Sequence, residues 1–284
     1  LNLPPQESAF WAAICVAIVS VIFGYKGHRI NLSQAWDSIA NCGRQSAEII
    51  VIGAMAGIII AILDRTGLGQ ALTLILASVG EYSLFLLLIL TALVSILLGM
   101  GMPTSAIYLL LATMIAPSLI KLGINPIAAH MFVLYFGLMS MITPPVAIAA
   151  FAAASLSGAK PMETGVTAVR LGWIAYVIPF VFVLSPSLLG QGPLVDIVTA
   201  TVTAVIGVWI GSCGLIGYLF GPLGMVSRLM FFAAGILLLL PADALPNGLA
   251  INGAGLVIAI LLVSRDYIAN KQRRKDLAAK ATAE

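Results

Sequence analysis

Tyr82 to Ile120 is a run of 39 residues without one charged side chain, and nothing else in the chain limits its fold so strongly. As a single helix at 1.5 Å per residue it would measure roughly 58 Å, about twice the hydrocarbon thickness of a bilayer. It holds the densest apolar block of the sequence, Tyr82 to Leu98. That block stops at Gly99-Met-Gly-Met-Pro-Thr-Ser105, and a second arm, Ala106 to Ile120, follows. The run is too long to cross once and is expected to turn back on itself. Apolar residues make up 61% of the whole chain and charged residues 9%, against about a quarter charged in soluble domains. The solvent for most of this surface is therefore lipid, and the expected fold class is an all-α polytopic membrane protein.

The remaining apolar runs extend this reading. Ala9 to Gly24 is flanked by Trp11 and Tyr25, residues that favour a membrane interface. Asn31 reads as a helix N-cap with Gln34 three residues on. The segment after it, with Leu32, Ala35, Trp36, Ile39 and Gly43 on one face, is expected to lie in the interface. Ala47 to Leu63 is long enough to cross, and Thr66 is placed to cap a short helix through Val79. Pro126 to Ile142 has helical character, is interrupted at Thr143-Pro144-Pro145, and continues from Val146 to Ala154. Lys160, Glu163 and Arg170 mark a polar loop. Further crossings are expected at about Leu171 to Leu188, Pro193 to Phe220, Val226 to Leu240 and Gly248 to Val263. No soluble domain or low-complexity linker separates them.

The net charge of +3 comes from the tail, where Lys271, Arg273, Arg274 and Lys275 cluster beside the last apolar helix. This is read as a cytoplasmic anchor obeying the positive-inside rule, and no nucleic-acid partner is expected. With the tail inside, counting backwards puts Asp243 outside, Arg228 inside, Gly190 to Asp196 outside, and Lys160 and Arg170 inside. From the other end Lys26, Arg29 and Arg44 also belong inside. Ala47 to Leu63 then leads out, so Tyr82 to Ala154 crosses an odd number of times. A re-entrant hairpin over 82–120, open to the outside with its tip at Gly99 to Ser105, and one broken crossing over 126–158 satisfy both length and charge.

The two breaks are where chemistry is expected. Proline lacks an N–H and clashes with the preceding turn, and Pro144 also drives Thr143 out of helical geometry. In hydrocarbon each unsatisfied backbone group costs several kcal/mol, so a break persists where protein, water or an ion satisfies it. The carbonyls of Ser140, Met141, Ile142 and Thr143 are freed, and the Thr143 hydroxyl adds an oxygen. Gly99 and Gly101 let the first break turn, Pro103 blocks helical pairing, and Thr104 and Ser105 begin an arm whose amides attract anions. Broken helices meeting near the midplane are a recurrent binding device of secondary transporters. Gly207, Gly211 and Gly214 lack such oxygens and are assigned to packing.

Leu98-Gly-Met-Gly-Met-Pro-Thr-Ser-Ala-Ile-Tyr108, Ala128-Ala-His-Met-Phe132 and Ser140-Met-Ile-Thr-Pro-Pro-Val-Ala147 together resemble the large membrane subunit of the tripartite ATP-independent periplasmic (TRAP) transporters, most closely the fused permeases of the TAXI branch. Thr66-Gly-Leu-Gly69 and Ser157 to Arg170 support the match, which covers about Ala9 to Gly190. The resemblance implies the second half of an inverted-repeat, elevator-type permease, so the chain is expected to be a piece of a longer polypeptide carrying the first repeat. It implies scaffold-type helices over 1–81, a transport-domain segment over 82–158, a further crossing over 159–190, three extra helices over 191–264 and a basic tail over 265–284.

It also implies import of organic acids across a bacterial inner membrane, delivered by a periplasmic TAXI-type solute-binding protein. The coupling ion would be Na+, with H+ the alternative because Met102-Pro103 stands where many relatives carry an acid. A cation would then sit on oxygens of Gly99, Gly101, Ser140, Thr143 and Val146, and the solute near Pro103, Thr104, Ser105, Pro144 and Pro145. No cofactor or metal centre is expected: Cys15, Cys42 and Cys213 are far apart, as are His28 and His130. His130 is read as a hydrogen-bonded packing residue. An enzyme would need a nucleophile with its base, or paired carboxylates at depth, and none is visible. A scaffold subunit or a channel without its own coupled site is the competing reading.

Overall fold

A computed structural model describes residues 5–22, 31–243 and 246–281. All regular structure in these residues is helical apart from one isolated bridge between Tyr218 and Pro222. The helices are α1 Pro5–Ile22, α2 Leu32–Thr66, α3 Leu68–Tyr82, α4 Leu84–Gly99, α5 Thr104–Met114, α6 Ala116–Lys121, α7 Pro126–Met139, α8 Ile148–Ser157, α9 Pro161–Leu171, α10 Ile174–Leu184, α11 Leu194–Ile216, α12 Met225–Leu239 and α13 Gly248–Ala281. A 3-10 turn, Pro186–Leu189, follows α10. Among the described residues, four stretches are long and apolar enough to cross a membrane: Thr104–Lys121, Pro161–Leu184, Leu194–Ile216 and Gly248–Gln272. Large apolar side chains such as Phe85, Val205 and Leu261 are exposed at the surface, as lipid-facing positions require. The chain is an all-α, multi-pass membrane protein.

It divides into two units, Leu1–Met55 and Ala56–Glu284. The first holds α1 and α2 as far as Met55. There the Asn31 amide donates to Gln34 Oε1 at 3.1 Å, the backward half of the capping box read from the sequence. Lys26, His28 and Arg29, and the side chains of Glu48, Asp64 and Glu81, lie outside the described residues.

In the second unit, one core joins α3, α4, α5, α6, α7 and α10 around Leu87, Leu88, Leu111, Phe132 and Val133. Phe180 of α10 meets both Phe132 and Phe136 of α7 edge-on, with ring centroids 5.3 and 5.6 Å apart. A second core forms among α11, α12 and α13 around Ile210, Phe231, Leu238 and Leu262. The assignment of Gly207, Gly211 and Gly214 to packing holds. A Cβ on Gly207 would stand 2.8 Å from the Gly235 carbonyl, and one on Gly214 2.6 Å from the Arg228 carbonyl.

Several expected boundaries differ. Leu32 to Thr66 is one continuous 35-residue helix rather than an interfacial segment followed by a crossing; no proline interrupts it, and its isolated glycines, Gly43, Gly53 and Gly57, weaken a helix without stopping it. Gly67, in the left-handed region at φ 72°, caps α3 in place of Thr66. The polar loop expected around Lys160, Glu163 and Arg170 is helix α9, with Pro161 in its first turn, Glu163 near its positive end and Arg170 near its negative end. The tail continues α13 to Ala281, because Ala, Lys, Arg and Gln are strong helix formers and no Gly or Pro intervenes. The arm after the first break is itself divided at Ile115, where Pro117 enters the first turn of α6.

Candidate functional site

The first break spans Met100 to Pro103, between α4 and α5. Gly101 supplies the reversal at φ 84°, a conformation that side chains with a Cβ disfavour. Gly99 has another role. It is the last residue of α4, and a Cβ there would stand 2.7 Å from the Gly137 carbonyl and 2.9 Å from Ser140 Oγ. Gly137 is crowded from its other side, where Ile107 and Leu111 of α5 would meet its Cβ at 2.6 and 2.7 Å. Three elements therefore converge on one backbone position just before the second break. Pro103, Thr104 and Ser105 are exposed at the tip, and α5 begins with no side-chain cap, which leaves its first amides open.

The second break is longer than the sequence suggests. Helix α7 ends at Met139, and Ser140, Met141 and Ile142 tighten into 3-10 pairing with Gly137, Leu138 and Met139 at 3.1–3.3 Å. The Pro144–Pro145 bond is cis. Of the four carbonyls expected to be free, two are engaged: Ala147 N–H donates to Thr143 at 3.2 Å and Ala149 N–H to Met141 at 3.0 Å. These bonds form because the chain resumes as α8 at Ile148 and folds its first amides back into the break. Among the described residues no hydrogen bond ends on the carbonyls of Ser140, Ile142 or Val146. The Ser140 hydroxyl is buried and donates to Gly137 at 2.6 Å. Ala147 closes the break at φ 35°, ψ 47°, a left-handed conformation that costs a non-glycine residue of order 1–3 kcal/mol.

Thr143 is tied on two sides. Its hydroxyl donates to Met139 O at 2.5 Å and lies 2.8 Å from the Tyr176 hydroxyl. A carbonyl only accepts, so the Tyr176 phenol is the donor to Thr143, which keeps one lone pair. Tyr176 was not anticipated. Neither was the rest of its face: Pro144 packs its ring where a Cβ on Gly165 would stand 2.9 Å away, and Ile142 stands 3.1 Å from the same position on Gly172. Helices α9 and α10 thus cradle the second break through Gly165, Gly172 and Tyr176. Their seven- and four-residue spacing was the available signal.

The structure brings Gly99 against Ser140, and it places Thr143 toward α10. Pro145 and residues 103–105 are exposed, and Gly101 and Val146 flank the turns. His130 has the partner expected of a packing residue, Tyr108 Oη at 3.2 Å from its Nδ1. Two further buried hydroxyls, Ser95 and Thr91, lie one and two turns before Gly99 on α4, without a hydrogen-bond partner among the described residues.

A family model described as the DctM component of the tripartite ATP-independent periplasmic transporter matches residues 3–197. The chain is also similar to the C4-dicarboxylate TRAP transporter large permease protein of Pseudomonas aeruginosa, at 26% identity over 181 residues. That alignment takes in 64% of this chain and 41% of the relative, so the chain spans less than half the length of the protein it matches. No solved structure matches it significantly. The matched residues contain both helix breaks and the contact between them, and the chain belongs to the TRAP large permease family.

Proposed function

We propose that this chain forms the second repeat of a TAXI-type TRAP permease in a bacterial inner membrane. With an N-terminal repeat it would import organic acids delivered by a periplasmic solute-binding protein. The relative of Pseudomonas aeruginosa carries C4-dicarboxylate in its name, and carboxylates are the solute class proposed here. The observation that carries the proposal is the meeting of two helix breaks at Gly99, Gly137 and Ser140 inside an apolar protein. Backbone oxygens left without partners suit a hard cation. We assign a coupling cation, Na+ with H+ as the alternative, to oxygens of Gly99, Gly101, Ser140, Thr143 and Val146. The open amides of Thr104 and Ser105 suit a carboxylate, with Pro103, Pro144 and Pro145 shaping the space. A scaffold subunit would have no use for two costly helix breaks, and a hairpin tip facing a broken helix makes an occluded site rather than a channel's continuous pore.

The test is uptake of a radiolabelled dicarboxylate into liposomes containing the full-length permease. Uptake should require the binding protein and an inward Na+ gradient, and K+ should not substitute. Uptake driven by a proton gradient alone would select the alternative ion. Passive equilibration indifferent to both gradients would contradict the transporter reading.

A further inference from the structure

At the end of α11 two arginines converge on one oxygen. Arg170, in the last turn of α9, donates through Nε at 3.1 Å and through Nη2 to the Leu215 carbonyl. Arg228, in the first turn of α12, donates through Nη2 to the same carbonyl at 2.9 Å and through Nε to Gly214 O at 3.2 Å. The helix end they cap carries only about half a negative charge, so two full positive charges stand there largely uncompensated. Neither arginine forms an ion pair among the described residues, where Lys160–Glu163 is the one present. The carboxylate of Asp266 instead accepts the Phe220 amide at 3.0 Å. Each guanidinium has five N–H donors and uses two, leaving three apiece.

The surroundings are apolar and open. Leu171 beside Arg170 is 65% exposed, Ile216 56%, and Met225, Val226 and Leu229 on α12 are 60–70% exposed. A paired guanidinium fork beside lipid-facing side chains matches an amphiphile whose head carries a phosphate, since arginine binds phosphate oxygens in bidentate fashion. We propose that Arg170 and Arg228 form a binding site for the phosphodiester of an anionic phospholipid, whose acyl chains lie along α9 and α12. The bound lipid would join α9, which cradles the second helix break through Gly165, to the α11–α12 pair.

The test is native mass spectrometry of the full-length protein in detergent, titrated with phosphatidylglycerol or phosphatidylcholine. One phosphatidylglycerol should be retained in preference to phosphatidylcholine. R170Q/R228Q should raise the concentration for half-occupancy at least about tenfold, as loss of charge-assisted hydrogen bonds implies, and R170K/R228K should fall between. K160Q, an exposed change on α9's N-cap, should leave it unchanged. Because Arg228 is half-buried and its loss could unfold the protein, a second reading uses the unaltered chain. Phosphatidylglycerol, and not phosphatidylcholine, should slow amide exchange over residues 214–228. Equal retention by R170Q/R228Q, or exchange indifferent to phosphatidylglycerol, would overturn the proposal. Displacement of the lipid by millimolar inorganic phosphate would also overturn it, by making free phosphate the ligand.

Discussion

Gly99 and Gly101 are two residues apart in one motif and meet different demands. Gly101 is needed for its backbone angle, whereas Gly99 is needed because a carbonyl stands where its side chain would be. Gly99→Ala should therefore lower stability by about 1–3 kcal/mol, the range for overpacking a tight site, since the Gly137 carbonyl is fixed in α7. Gly253→Ala on α13, where nothing lies within 4 Å of the added carbon, should leave the melting midpoint near the native value. Thermal unfolding in detergent compares the two. The sequence marks both glycines as parts of a break, because glycine and proline interrupt helices by local physics. It does not separate their roles, which depend on Gly137, 38 positions away in the chain. Tyr176 was hidden for the same reason. A tyrosine in an apolar helix reads as lipid-facing or core until Thr143 is seen 2.8 Å from its hydroxyl.

Among the elements, those with strong local signals were legible. The apolar block stopping at Gly99, the start of α7 at Pro126 and the Asn31–Gln34 bond all appear where the residues place them, and Asn125 Oδ1 adds a cap by accepting the Ile127 amide at 2.9 Å. Elements that depend on amphipathicity were misjudged. Helix α9 looked like a loop because its charges were counted without their positions, although Glu163 first and Arg170 last is a helix order. The α11–α12 contact is the most extensive helix pairing among the described residues, and its closeness rests on Gly207, Gly211 and Gly235. Gly207→Val should push the Gly235 carbonyl away and separate the two helices. The expected result is a fall in melting midpoint larger than that of Gly253→Ala, with disulfide trapping between cysteines on α11 and α12 reduced.

Across the whole molecule, hydrogen bonds sort the connections into two ends. Asn125 donates to Gln191 at 2.7 Å, and Ser185 and Ser187 donate to Asp243 at 2.5 and 2.8 Å, so these segments share one end. Arg170 and Arg228 meet Leu215 at the far end of α11. This division matches the grouping of connections that the parity argument gives, and the proposed orientation of the two ends rests on the charge rule. Cysteines introduced singly at Gln191 or Asn247, in a background lacking Cys15, Cys42 and Cys213, should react with an impermeant maleimide from the periplasm. Those at Ala159 or Lys275 should react only after the membrane is opened. The central claim is that the joined breaks hold the coupling ion, and ion titration of uptake by the full-length permease in liposomes with its binding protein tests it most directly. Thr143→Val removes the hydroxyl and keeps size and branching, whereas Tyr176→Phe removes only the tether to it. If Thr143 is a ligand, Thr143→Val should raise the Na+ concentration for half-maximal uptake roughly 5- to 150-fold, equivalent to about 1–3 kcal/mol for one lost polar partner, and Tyr176→Phe clearly less. Equal small effects of Thr143→Val, Tyr176→Phe and Gly253→Ala, at matched protein levels, would make the breaks packing features and contradict the account.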